Sequence, residues 1–224
     1  LLVLNNSFTA SSSEIFSGAL KDYNRGLIVG ESTFGKGTVQ NLIDLERFFP
    51  NSSMQFGQLK ITLAKYYRVN GGSTQKIGIE PHIEFPNIYD RSIYTENSRE
   101  NALDWDKIRD VSHTNINYVT KPLVDHLTTT FDYDVKNDSS FINYMTFIDD
   151  TRKNREKKSI SLNYSQRMSE KKDNDSKSNS LNTSVKISEI FPIEEENLLK
   201  KIKNDLYLRE SVKLFIEMLS FKES

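Results

Sequence analysis

Two side chains in the first forty residues can do chemistry together. Ser11 stands in the run Thr9-Ala10-Ser11-Ser12-Ser13, and Lys36 follows 25 positions later between Gly35 and Gly37. A serine hydroxyl becomes a nucleophile when a base takes its proton. A lysine held out of water is such a base, because burial disfavours the ammonium form and lowers its pKa. The pairing needs no histidine, and the chemistry it predicts is acyl transfer through a serine.

Such a pair works only if the surrounding elements bring it together. Leu1 to Leu4 is an apolar run that predicts a strand buried on both faces of a largely parallel sheet, and Asn5-Asn6-Ser7 marks its exit. A helix follows, with Glu14, Ile15, Phe16, Ala19 and Leu20 as its inward face and Ser11, Ser12 and Ser13 as candidate N-caps. At this junction unpaired N–H groups and the helix dipole favour negative charge, so an oxyanion is stabilised there. A serine cluster before a helix also reads as a plain cap. Leu27 to Gly30 predicts a second buried strand that delivers the chain into the loop carrying Lys36.

That loop has a second reading. Gly30-x4-Gly35-Lys36 matches the opening of a phosphate-binding loop, with Thr38 as a magnesium ligand. A phosphate loop requires a helix after the lysine, whereas Thr38 to Leu45 is as compatible with a strand. No convincing second strand ending in a magnesium-holding Asp and no arginine-rich lid accompany it. A P-loop nucleotide kinase is therefore the competing enzyme, and a non-catalytic helical scaffold is the competing class without chemistry.

Several ordered motifs bear on the choice. Thr9-Ala10-Ser11-x-Ser13-Glu14-Ile15, Gly18-Ala19-Leu20-x-Asp22-Tyr23 and Val29-Gly30-Glu31-x-x-Phe34-Gly35-Lys36-Gly37-Thr38-Val39-Gln40 resemble the tail-specific, or C-terminal processing, serine peptidases. The likeness continues through Tyr66 to Gln75 and Ile77-Gly78-Ile79-x-Pro81, and is greatest to the long periplasmic Prc/Tsp branch, whose C-terminal extension Lys158 to Tyr164 also resembles. The resemblance implies a serine endopeptidase that degrades or trims proteins recognised by apolar C-terminal tails. It implies Ser11 as nucleophile, Lys36 as general base, Asp22 in support, Gln40 as an orienting neighbour of the lysine and the Ser12 N–H as an oxyanion donor. Ser13 and Glu14 read as structural. The family's second oxyanion donor and its PDZ domain belong to upstream segments, so the chain is expected to be a C-terminal portion of a larger peptidase, of doubtful activity alone. Protein substrates, an adaptor protein and those upstream PDZ and catalytic segments are the implied partners. The implied location is the periplasm, associated with the periplasmic face of the inner membrane.

Composition narrows the field little. Thirty basic and 31 acidic residues leave a net charge of −1, which gives no case for a nucleic-acid partner. The absence of cysteine excludes a disulfide framework and thiolate metal sites. His82, His113 and His126 lack ligand spacing, so neither a metal nor a cofactor is expected. The short basic run Thr151 to Lys158 reads as a solvated face.

The expected fold is an α/β (α+β) partial catalytic domain with a mixed sheet and helices, followed by a mainly α-helical C-terminal domain. Residues 1–86 form the catalytic portion, 87–120 a wrapping connection anchored by Trp105, and 121–224 the helical domain. In the first part Gln58 to Val69, with Leu59, Ile61 and Leu63 on one face, predicts a strand. It turns at Asn70-Gly71-Gly72 and pairs with Lys76 to Ile79. In the last part Phe141, Tyr144, Met145 and Ile148 predict an amphipathic helix behind Asp138, and 166–183 reads as a disordered linker. A final helix is expected to carry the apolar stripe from Ile193 to Leu219.

Overall fold

The computed structural model describes residues 1–50, 54–180 and 205–221. Strand β1 (Leu2–Asn5) leads through a turn into helix α1 (Ser12–Asp22), which returns the chain to strand β2 (Leu27–Gly30), parallel to β1. The short strand β5 (Ile83–Glu84) joins the far side of β2, also parallel, giving the order β1-β2-β5. Only β2 is buried throughout. β1 lies at the sheet's edge with Leu4 39% exposed, so its apolar sequence does not mark burial on both faces.

Strands β3 (Thr38–Asp44) and β4 (Gln58–Lys65) form a separate antiparallel ribbon, with a bulge at Val39/Gln40. The expected mixture of strand directions with helices is present, as a parallel sheet plus an antiparallel ribbon. Leu59, Ile61 and Leu63 are all exposed on that ribbon. Beyond β4 the expected hairpin is reduced to a single Tyr67–Ser73 bridge. Lys76 to Ile79 does not return as a strand: Lys76 and Gly78 both have positive φ, and the segment folds onto the Lys36 loop instead.

After β5 come the one-turn helix α2 (Arg91–Tyr94) and the longer helices α3 (Lys121–Asn137), α4 (Ser139–Glu156), α5 (Tyr164–Ser180) and α6 (Leu206–Ser220). Thr120 caps α3, with Pro122 in its first turn, and Asp138 caps α4 through the Ser140 N–H. The predicted stripe of α4 buries Phe141, Tyr144 and Ile148. The parallel sheet and the helices share one core: Leu27 and Val29 of β2 and Ile83 and Phe85 near β5 pack against Leu123, Leu127, Phe131, Phe141 and Leu214. Phe85 stacks on Phe131 with ring centres 4.7 Å apart.

Helix α5 occupies most of the stretch expected to be a disordered linker, while 181–183 lies outside the described residues. Its first two turns are polar and exposed, supported by an Arg167–Glu170 pair one turn apart rather than by a core. The final helix is described from Leu206 to Ser220. Its stripe buries Leu206 and Leu214 but leaves Ile216 and Leu219 exposed, and the expected part between Ile193 and Ile202 lies outside the described residues. Among the described residues no helix is long and apolar enough to cross a membrane.

Candidate active site

The chain leaves β1 at Asn5 and is gathered at once by Asn6, whose Oδ1 accepts the Phe8 N–H at 3.0 Å. Ser11 then adopts φ 56° and ψ −116° as the N-cap of α1. A positive φ at a residue with a β-carbon costs on the order of 1–3 kcal/mol and persists where the surroundings over-determine it, often at active sites. The same sharp strand-to-helix turn presents serine nucleophiles on other folds. Ser12 is the exposed first residue of α1, in the turn whose N–H groups have no intrahelical partner.

Glu14 provides the over-determination. Its side chain is fully buried, and Oε2 accepts the N–H of Ser11 at 2.8 Å and of Lys36 at 2.9 Å. Oε1 accepts the Gly35 N–H at 2.7 Å and the Thr33 hydroxyl at 2.5 Å. One carboxylate therefore fixes the serine turn and the lysine loop to each other. The bond to Ser11 is the carboxylate half of a capping box, and a Ser-x-x-Glu spacing signals it. The other three donors come from about twenty positions downstream in the chain, where no local pattern reveals them. Glu14 is structural, as expected, but it serves two loops. The inward face of α1 is Glu14, Ser17 and Gly18, while Ile15 and Phe16 are exposed. The apolar spacing pointed to the wrong face because α1 packs its N-terminal half on polar loops.

Lys36 is half-buried, and the two glycines around it are required by close approach. A β-carbon at Gly35, where φ is +91°, would meet the Lys76 carbonyl carbon at 2.8 Å, and one at Gly37 would meet Gln75 N at 2.7 Å. The loop is held by the Lys76 N–H on Gly35 O at 2.8 Å and by the Gly37 N–H on Gln75 Oε1 at 2.9 Å.

Ser11 and Lys36 line one cleft of about 370 Å³, together with Gln40, Leu42 and Lys60 of the ribbon. A cleft of about 310 Å³ between the β1 exit and helices α4 and α6 contains neither. Gln40, on β3, shares the cleft of Ser11 and Lys36 and lies 3.5 Å from the Thr62 hydroxyl. Asp22 does not join them. It sits at the opposite end of α1, about 15 Å along the helix axis. There it accepts Arg68 Nε at 2.9 Å, a second guanidinium nitrogen and the Asn70 amide. His82 is packed beside the sheet, where its Nδ1 accepts the Ile28 N–H at 2.9 Å. Burial, and then the nearby Lys21, push the imidazole pKa down to about 4. The chain after Lys36 runs as strand β3, so no helix N-terminus stands where a phosphate loop needs one, and the nucleotide-kinase reading fails on that ground.

Residues 1–85 match Peptidase family S41, and residues 89–220 match the C-terminal domain of tail specific protease. The chain is 36% identical over 232 aligned positions to a tail-specific protease of Haemophilus influenzae, covering 99% of this chain and 32% of that protein. Over 84 positions it is 43% identical to a chloroplastic C-terminal processing peptidase of Tetradesmus obliquus, covering 38% of this chain and 16% of the relative. A solved photosystem II D1 C-terminal processing protease aligns with 38% identity and a TM-score of 0.33, covering 42% of this chain and 23% of that one. The chain thus spans about a third, or less, of the length of these relatives.

Proposed function

Because this chain belongs to the tail-specific protease family, we propose that it carries the nucleophile and the general base of a serine endopeptidase, Ser11 and Lys36. The observation that carries the reading is the Glu14 carboxylate, which binds the backbone of both residues through a single oxygen. The strained turn at Ser11 and the shared cleft support it.

In the proposed reaction the Lys36 amine takes the Ser11 proton as the hydroxyl oxygen attacks the scissile carbonyl. The tetrahedral oxyanion lies at the N-terminus of α1, where the Ser12 N–H and the helix dipole face it. Collapse expels the peptide amine, which takes the proton back from Lys36, and leaves an acyl group on Ser11. Water, activated by the same amine, then releases the acyl group. Gln40, in the cleft, steadies the lysine. Asp22 supports the site at a distance, by tying the far end of α1 to the segment around Arg68. Proteins with apolar C-terminal tails are the proposed substrates and the periplasm the proposed location, both from the family. An adaptor is a further proposed partner.

The test is cleavage of a protein with an apolar C-terminal tail by the intact polypeptide that carries this chain. Ser11→Ala and Lys36→Ala should each abolish turnover while leaving the fold intact by circular dichroism. Normal turnover in the two variants would refute the assignment.

A further inference from the structure

The loop that carries Lys36 is gripped from outside the peptidase-matched part of the chain. Arg91, which opens α2, donates from one terminal nitrogen to Ser32 O at 2.5 Å and Thr33 O at 2.7 Å. Its other terminal nitrogen donates to Ile77 O at 2.7 Å. A guanidinium offers its donors in a rigid planar fork, so this one side chain joins the lysine loop to the turn packed beneath it. Five residues on, the Glu96 N–H donates to Phe34 O at 3.1 Å. The buried Glu96 carboxylate accepts the amide of Gln75 at 3.2 Å, and Gln75 Oε1 in turn accepts the Gly37 N–H at 2.9 Å. Residues on both sides of Lys36 are thereby held by the segment 91–96, which lies within the match to the C-terminal domain.

We propose that Arg91 and Glu96 are positioning residues that form a clasp on the Lys36 loop, so that the C-terminal domain sets the register of the lysine against Ser11. The proposal rests on the dyad reading above. Glu14 secures the Lys36 N–H from the α1 side, and the clasp secures the flanking peptides from the other, leaving the side chain itself free for proton transfer. A general base acts only within hydrogen-bond reach of its proton, so a loop that shifts slightly loses rate without losing substrate affinity.

The experiment uses the intact polypeptide, with turnover of fluorescently labelled casein and covalent labelling of Ser11 by a fluorophosphonate, each normalised to folded protein. Arg91→Ala is expected to lower kcat by about 10²-fold, the scale of a 1 Å misplacement, and to slow Ser11 labelling, with KM within about twofold. Arg91→Lys should restore part of the rate, since an ammonium reaches fewer of the three carbonyls. Glu96→Ala should act in the same direction, and it decides the matter if Arg91→Ala does not fold. Folded variants that keep the wild-type kcat, or that lose only KM, overturn the clasp. Ser11→Ala and Lys36→Ala separate the two levels: if they remain active the dyad reading fails, whereas if they are inactive and the clasp variants are normal, only the clasp fails.

Discussion

Glu14 carries more of the site than any other single residue, because all four of its acceptor contacts go to the serine turn or the lysine loop. Glu14→Gln replaces one acceptor oxygen by an amide that faces N–H or O–H donors. Hydrogen bonds to charged groups contribute about 1.5–3 kcal/mol, and each stranded donor adds a penalty. We therefore expect the variant to lose at least about 2 kcal/mol in urea unfolding and to lose peptidase activity in the intact polypeptide. A second residue-scale expectation concerns His82. Its folded pKa of about 4 lies below the ordinary 6.5, so the fold favours the neutral ring that accepts the Ile28 N–H. Its contribution is complete above pH 6.5 and is lost as pH falls toward about 4, because the unfolded chain takes up the proton first. The loss amounts to at most about 3 kcal/mol. Unfolding midpoints measured across this window should fall with acid, and His82→Asn should flatten the slope. Residue type and motif single out Ser11 and Lys36 as candidates, but they reveal neither Glu14's second role nor His82's backbone bond. Both depend on partners far away in sequence.

Among the elements, local sequence pattern and structure coincide where neighbouring residues decide the conformation. β2 has four consecutive apolar or small residues and is buried throughout, and the Asp138 cap and stripe of α4 appear where the spacing places them. The two part where tertiary context outweighs pattern. The apolar residues of β4 face solvent, α1 turns a polar face inward, and Lys76 to Ile79 follows a left-handed path onto the lysine loop. That path explains a strict need for glycine. Gly35→Ala combines a positive φ with a 2.8 Å clash against backbone, and should destabilise by about 2–4 kcal/mol, measurable as a lowered urea midpoint. Helix α5 offers the opposite case, a helix with almost no buried face in its first turns. Backbone amides from Tyr164 to Lys172 should exchange with solvent far faster than those of Leu123 to Phe131 in α3, whose inward side chains lie in the core. Equal protection in the two segments would contradict this account of α5.

Over the whole molecule, the core does not divide where the sequence changes character near residue 86. β2 and β5 share one buried cluster with α3, α4 and α6, and each large apolar side chain buried there contributes about 1.5–3 kcal/mol. A chain ending at residue 86 should therefore lose cooperative unfolding in a thermal scan, because Leu27, Val29, Ile83 and Phe85 would be left uncovered. The same interpenetration brings Arg91 and Glu96 to the lysine loop, so the two matched regions meet at the proposed site as well as in the core. This chain spans 32% of its Haemophilus relative, and the measurement that bears most directly on its function belongs to the intact polypeptide. That measurement is the initial rate of cleavage of a protein with an apolar C-terminal tail by wild type, Ser11→Ala, Lys36→Ala and the double variant. Each single variant should lose at least about 10³-fold and the double one little more, as for residues acting as a unit. Undiminished cleavage by either single variant would contradict it.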